Sequence, residues 1–264
     1  MQIKLVTLLT VTAIFCIYSP AEAVDLKYAG STTVQMGFMY DAAALYKKIH
    51  NKRISIMGGS SSAGVHGVAM GSIDLGGASR ELTEKEKAKG IVSHVIAWDA
   101  IAVIANKGNP INDLTLQQLK EIFTGDTRNW KHVGGPDASI AVITSHEGSA
   151  TKEVINKIVM QKRPWSPNAI AVNSTRDEVD QVLANPGAIG AVSVSFADSG
   201  KVKIIKVDGI APTAEHVINN KYKISRPLNL LTAGQPTGET RKFIDFMLSP
   251  LGQDIVSKKF IPAQ

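Results

Sequence analysis

The sequence predicts an α/β fold, because stretches with strand patterns and stretches with helical patterns alternate along the chain. The apolar runs at residues 100–105 and 140–143 have the length and composition of buried strands. Apolar residues at helical spacing follow the second run, at residues 154–159. Alternation of this kind is typical of mostly parallel sheets flanked by helices.

The composition indicates a soluble globular protein with a sizeable core. The 264 residues, 44% hydrophobic and 20% charged, allow one large domain or two of moderate size. A formal net charge of +6 favours anions in general, without the dense basic patch that nucleic-acid binding requires. Aromatic residues make up 6% of the chain, too few for a surface that stacks on bases. We therefore expect no nucleic-acid partner.

Residues 1–23 have the pattern of a cleaved secretory signal peptide. Lys4 supplies a positive start, residues 5–17 are apolar, and residues 21–23 form a small-x-small cleavage site. A membrane anchor is the alternative, but the run is shorter than the ~20 apolar residues that a span needs. The one cysteine, Cys16, would be removed with this segment. The mature protein would then have no disulfide, although it is exported.

The first half of the mature chain predicts short strands, each followed by a helix. Residues 36–49 predict a helix, and we assign Met36, Met39, Tyr40 and Tyr46 on it to the core. The elements predicted next are a strand at 53–57, a short helix at 65–70, a strand and tight loop at 73–80, an exposed charged helix at 82–89 and a strand within 94–106.

The second half continues the alternation, with clear helix start signals. Thr115 and Gln118 form a capping box that opens a helix ending at Gly125. Ser249 followed by Pro250 predicts the start of another helix. The other predicted elements are a helix near residues 176–183, strands at 189–194, 202–207 and 228–232, and a helix around 243–248.

Three turns rich in hydroxyl groups lie where a predicted strand leads into a helix. They occupy residues 30–33, 60–64 and 147–152. Helix N-termini have free backbone N–H groups and partial positive charge, which suit an anion. Ordinary helix capping explains one such turn. Three in one chain predict an oxyanion held by several helix N-termini.

Sequence signals for catalysis or metal binding are lacking. The six histidines are scattered, and none has the spacing of a metal site. Ser149 and Lys152 match S-x-x-K, but the partner motifs of serine acylases are missing. We therefore expect a binding protein without a catalytic residue, metal or cofactor. A secreted hydrolase or acyl-transfer enzyme using Ser149 remains the alternative from another class.

Seven short motifs then stand in a recognisable order. They are GSTTV at 30–34, GSSSAG at 59–64, DLGGASR at 74–80, WDAIAV at 98–103, LTLQQLKEIFTG at 114–125, NW at 129–130 and EGSAT at 147–151. Together they resemble the periplasmic phosphate-binding proteins of ABC transporters, over essentially the whole mature chain.

The resemblance implies a type II periplasmic-binding-protein fold of two α/β lobes joined by two crossing strands. Inorganic phosphate would be enclosed between the lobes of a periplasmic monomer and delivered to a membrane permease. Carried over, lobe 1 would span residues 24–103 and 230–264, and lobe 2 residues 104–229. The apolar runs at 100–105 and 228–232 would be the crossings.

The resemblance also implies the residues that hold phosphate. Backbone N–H groups and hydroxyls of lobe 1 would bind first, and a loop of lobe 2 would close over the anion. Arg80 would supply charge, unless it is a surface arginine. Asp99 would accept the phosphate proton, or serve only as a structural residue at a strand start. The full candidate set is Ser31, whose other role would be helix capping, Thr32, Thr33, Ser61, Arg80, Asp99, Ser149, Ala150 and Thr151.

Two positions depart from the family pattern. Ser145 stands where an arginine is usual, and Ala150 where a glycine is usual. Loss of one charge-assisted contact worth ~1.5–3 kcal/mol would weaken binding about ten- to a hundredfold. The alternatives are a different oxyanion or small anionic metabolite as ligand, or a partner-binding module that has lost its ligand.

Overall fold

The computed structural model describes residues 24–147, 149–197 and 200–263. The predicted signal peptide, with Cys16, lies outside these residues. Within the described residues, no helix is both long enough and apolar enough to span a membrane.

Strands and helices alternate as predicted, so the α/β class is confirmed. The strands are β1 (Leu26–Gly30), β2 (Ile54–Met57), β3 (Leu75–Ala78), β4 (Ile91–Ala105), β5 (Asp113–Leu114), β6 (Ala141–Ser145), β7 (Ile170–Val172), β8 (Ala188–Ser193), β9 (Lys203–Val207), β10 (Ser225–Ala233) and β11 (Ile261–Pro262). The α-helices are α1 (Thr32–Val34), α2 (Tyr40–His50), α3 (Ser61–Ala69), α4 (Glu84–Lys87), α5 (Leu116–Thr124), α6 (Ala150–Ile155), α7 (Thr175–Ala184), α8 (Ala214–Ile218), α9 (Gly238–Leu248) and α10 (Pro250–Ser257). Two π-helical segments, Gln35–Met39 and Asn156–Met160, and two 3₁₀ turns, Trp130–Val133 and Val194–Phe196, complete the set.

The long strand β4 organises the sheet. Its first part pairs with β10, up to Ala100 opposite Ser225, and its second part pairs with β8, from Ile101 opposite Ser193. The sheet runs in the order β2-β1-β3-β10-β4-β8-β6-β7. Pairs that involve β4 or β10 are antiparallel, and the remaining pairs are parallel. The sheet is therefore mixed, because the two long strands run against their neighbours.

The buried side chains form separate clusters before and after the point at which the partner of β4 changes from β10 to β8. Two apolar clusters draw on residues 26–97 and 228–260. Two others draw on residues 100–224, with Ile261 added from the C-terminal strand. Each half of the sheet therefore has its own core, and β4 and β10 connect the two halves.

Several local predictions are confirmed. Every residue of the run 100–105 is fully buried within β4. The capping box of α5 forms, with Thr115 accepting from the Gln118 N–H and the Gln118 side chain accepting from the Thr115 N–H. Ser249 caps α10, which begins at Pro250. These signals act within a few residues of each other, so the sequence alone reveals them.

Two of the four core assignments within residues 36–49 were wrong, whereas Met39 and Tyr46 are buried as predicted. Met36 is 59% exposed and Tyr40 is 48% exposed, whereas Phe38 and Ala42 are buried. The cause is the π-helical segment Gln35–Met39, which places more residues in each turn than an α-helix does. The 3.6-residue period that assigned Met36 and Tyr40 to the core therefore fails across this segment.

Candidate functional site

The first two hydroxyl-rich turns meet at Ser79, just beyond the end of β3. Strands β1 and β3 are parallel, with Gly30 opposite Gly77, so their carboxyl ends lie side by side. Ser31 Oγ donates to Ser79 Oγ at 3.0 Å, and the Ser79 N–H donates to Ser61 Oγ at 3.1 Å. Ser79 is buried. It therefore joins the start of α1 to the start of α3, a role that the sequence analysis did not assign.

Thr32 adds a second hydrogen bond between the start of α1 and the segment that leads into α3. Its hydroxyl donates to the carbonyl oxygen of Gly59 at 3.1 Å. Thr33 follows it in the first turn of α1 and is half-buried. Four of the predicted binding residues, Ser31, Thr32, Thr33 and Ser61, are thus grouped at the carboxyl ends of adjacent strands. This edge is where open α/β sheets bind ligands.

The third hydroxyl-rich turn begins α6 on the other half of the sheet. Ser149 occupies the N-cap position, but its side chain accepts no hydrogen bond from the helix N–H groups. Ala150 is the first helical residue, and Thr151, the next residue, is buried. A cleft of about 690 Å³ has Ser79, Arg80 and Trp98 on its wall together with Ala150. The cleft thus joins the α6 turn to the strand end that carries Ser79.

Arg80 lines this cleft but is already paired. Its guanidinium donates two hydrogen bonds of 2.8 Å to the carboxylate of Glu86 and one of 3.0 Å to the carbonyl of Glu81. The hydrogen bond from Arg80 lowers the pKa of Glu86 to about 2, so this carboxylate remains charged. Contact between Arg80 and an anion stays a prediction. In such a contact, the carboxylate of Glu86 would partly neutralise the positive charge of Arg80.

Asp99 is fully buried beside the crossing strand β10, and both its oxygens accept hydrogen bonds. Oδ2 accepts from Arg226 Nε at 3.0 Å and from Arg226 Nη2 at 2.8 Å. Oδ1 accepts from Ser193 Oγ at 2.5 Å. The role of Asp99 as acceptor of a ligand proton stays a prediction. Its contacts describe a residue that holds Arg226 in place, and Arg226 had no assigned role in the sequence analysis.

Ser145, at the position of the usual arginine, faces a buried carboxyl group. Its hydroxyl donates to Glu178 Oε2 at 2.7 Å, and the Ala191 N–H donates to Glu178 Oε1 at 2.9 Å. Burial raises the pKa of Glu178 to about 7, opposed by these hydrogen bonds and by the positive charge of Lys152. Position 145 therefore contributes a hydroxyl and no cation.

The raised pKa of Glu178 predicts a pH-dependent stability. The folded protein keeps a proton on Glu178 that the unfolded chain releases above its ordinary pKa of 4.5. The free energy of unfolding should therefore fall as pH rises from about 4.5 to about 7 and then level off. Glu178→Gln should remove about 3 kcal/mol of this fall, measured by urea unfolding across that range. Asp180→Asn, an exposed carboxyl on the same helix, is the control, and an unchanged slope in Glu178→Gln would refute the assignment.

Metal ligands are not grouped within the part of the chain that the structure describes. No three His, Cys, Asp or Glu side chains there lie together so that they could hold an ion. The cleft wall instead carries Ser79, the start of α6 at Ala150 and two arginines, Arg80 and Arg226, which suit an oxyanion, together with the carboxylates of Glu81 and Glu153.

Comparison with known proteins shows the family to which this chain belongs. The sequence model of the PBP superfamily domain matches residues 18–250. The phosphate-binding protein PstS of Borreliella burgdorferi is 31% identical over 242 residues, covering 87% of this chain and 86% of the relative. The chain belongs to the PstS-like family of phosphate-binding proteins. The resemblance inferred from the seven motifs is thereby confirmed.

Solved structures of PstS-like proteins agree with this assignment. A substrate-binding protein assigned to a phosphate ABC transporter of Clostridium perfringens, solved with bound phosphate, superposes with a TM-score of 0.75 at 37% identity. An ABC-type phosphate transport receptor from Vibrio cholerae gives a TM-score of 0.80 at 31% identity. Each comparison covers 90% of this chain and 99% of the other. These PstS-like relatives are solute-binding proteins and not enzymes, which removes the support for a hydrolase using Ser149.

Proposed function

We propose that the protein captures inorganic phosphate in its cleft and delivers it to the permease of an ABC transporter. The observation that carries the proposal is one cleft, in a PstS-like chain, that has the start of α6 at Ala150 on its wall together with Ser79. Ser79 is the residue that bonds to Ser31 and Ser61 at the starts of α1 and α3. Phosphate offers four oxygens to these donors, and helix N-termini stabilise its negative charge. Residues 1–23 would direct export to the periplasm, and the protein would act there as a monomer.

The two lobes are proposed to separate where β4 changes partners. Lobe 1 would then comprise residues 24–100 and 225–263, and lobe 2 residues 101–224. The boundaries drawn from the sequence lie three residues later in β4 and five residues later in β10. Ala100 pairs with Ser225, so β4 and β10 would both pass between the lobes at the same height in the sheet. Closure would bring Ser149, Ala150 and Thr151 onto an anion already held by lobe 1.

A second candidate ligand remains, because position 145 carries no charge. The hydroxyl of Ser145 is committed to Glu178, so the site has one cation fewer than the usual family pattern. A ligand of lower charge, such as a phosphonate monoester or another small oxyanion, would need less compensation. Such a ligand would bind the same cleft and would stabilise the protein more than phosphate does.

A proline substitution tests the site with little disturbance of the fold. Ala150→Pro deletes the N–H group proposed to bind phosphate, while the first helical position tolerates proline. Ser149 already has φ −67° and ψ 126°, which suit a residue before proline. We expect tight 1:1 phosphate binding by the wild type, no binding of sulfate, and about tenfold weaker phosphate binding by the variant.

Isothermal titration of phosphate-stripped protein with each anion gives these affinities. Ala214→Pro is the matched control, since Ala214 is exposed and begins α8 after the N-cap Thr213. This control should bind phosphate as the wild type does. Absence of heat from phosphate in the wild type would refute the proposal. Stronger binding of a phosphonate would favour the second candidate.

A further inference from the structure

Arg226 is a buried cation on the crossing strand β10, and only part of its guanidinium has partners. The residue is 4% exposed. Nε and Nη2 both donate to Asp99 Oδ2. Among the described residues, Arg226 Nη1 is one of two buried side-chain polar atoms without a hydrogen-bond partner. Buried donors are normally satisfied, so this nitrogen points to a partner that is not part of the chain.

The position of Arg226 in the sheet brings it to the proposed binding site. Arg226 lines the same cleft as Arg80 and Ala150. Its strand is tied to the end of β3, because Asn229 pairs with Ala78 and Asn229 Nδ2 donates to the Arg80 carbonyl at 2.9 Å. Arg226 precedes Asn229 by three residues on this strand and shares the cleft wall with Ser79 and Arg80.

The orientation of the guanidinium is set before any ligand arrives. Asp99 fixes two of its nitrogens, and the second oxygen of Asp99 accepts from Ser193 on β8. Guanidinium groups stay charged at all ordinary pH values and donate in a fixed plane, which suits oxyanions. A donor held in this way loses little conformational entropy when it binds.

We propose that Arg226 is an anion-binding residue of the cleft, donating through Nη1 to the bound oxyanion, and that Asp99 is its positioning residue. The proposal rests on the proposed function and supplies the cation that position 145 lacks. It also gives the carboxylate of Asp99 an indirect part in binding, through Arg226 and not through a ligand proton.

The test is isothermal titration of wild type, Arg226→Gln and Arg226→Lys with phosphate. We expect about ten- to a hundredfold weaker binding by Arg226→Gln. Arg226→Lys keeps a positive charge that can pair with Asp99, but its single nitrogen cannot also reach the anion as Nη1 is proposed to do. Its phosphate affinity should therefore fall while its fold is retained. Lys157→Gln is the matched control, because Lys157 lines the same cleft and its side chain is 74% exposed. It should change phosphate affinity less than about threefold.

Two further readouts separate ligand binding from a structural role. Thermal unfolding in phosphate-free buffer reports the effect of each variant on the fold alone. Guanidinium ion at low concentration should partly restore phosphate binding to Arg226→Ala, and recovery of binding beyond any recovery of thermal stability would not follow from a purely structural arginine. Equal phosphate affinity in wild type and Arg226→Lys would overturn the inference and leave the proposed function intact. Absence of binding by the wild type would overturn both.

Discussion

Asp99→Ala is expected to lower the free energy of unfolding by about 3–5 kcal/mol, because it leaves the buried charge of Arg226 without a counter-ion. Asp99 is fully buried and Arg226 is nearly so. The substitution also removes the acceptor of the Ser193 hydroxyl, which donates to Asp99 at 2.5 Å. Urea unfolding of the phosphate-free protein measures the loss.

An exposed ion pair is the control for this prediction. Arg163 and Asp126 are joined at 2.7 Å, but both side chains are 48% exposed. Asp126→Ala should therefore cost no more than about 1 kcal/mol. The double variant Asp99→Leu with Arg226→Met should lose less stability than Asp99→Ala, because no charge is left buried. A loss below about 1 kcal/mol in Asp99→Ala would show that Arg226 finds other compensation.

The parts of the fold that the sequence predicted are those determined by neighbouring residues. The capping box at Thr115 and the Ser249 cap depend on groups three residues apart or fewer. The buried strand at 100–105 is apolar throughout, so its burial on both faces follows from its composition. The π-helical segment Gln35–Met39 carries no such local signal, and Met36 and Tyr40 were therefore wrongly assigned to the core.

The parts of the site that were missed depend on the order of strands in the sheet. Ser79 bonds to Ser31 across 48 positions, and Arg226 bonds to Asp99 across 127 positions. Neither pairing has a sequence signal, because it exists only when β3 lies beside β1 and β10 lies beside β4. The sequence did locate the helix starts that carry the proposed donors. It did not identify the groups that hold those starts together.

Close packing of two strand ends makes Gly30 a position where one added methyl group should be costly. Gly30 has φ +147°, and a Cβ atom there would overlap the backbone nitrogen and oxygen of Gly77. That contact is with backbone, so β1 and β3 would have to separate. Gly30→Ala should therefore lower the free energy of unfolding by about 4 kcal/mol.

The same substitution should also weaken phosphate binding, because Ser31 and Thr32 follow Gly30 directly and would move with it. Gly90→Ala is the matched control, since Gly90 has φ +76° and a Cβ atom there would meet nothing within 4 Å. It should cost about 1 kcal/mol and leave phosphate affinity unchanged. Urea unfolding and isothermal titration of both variants measure the two effects. Equal losses of stability in the two variants would mean that backbone conformation alone, and not the contact between β1 and β3, requires glycine at position 30.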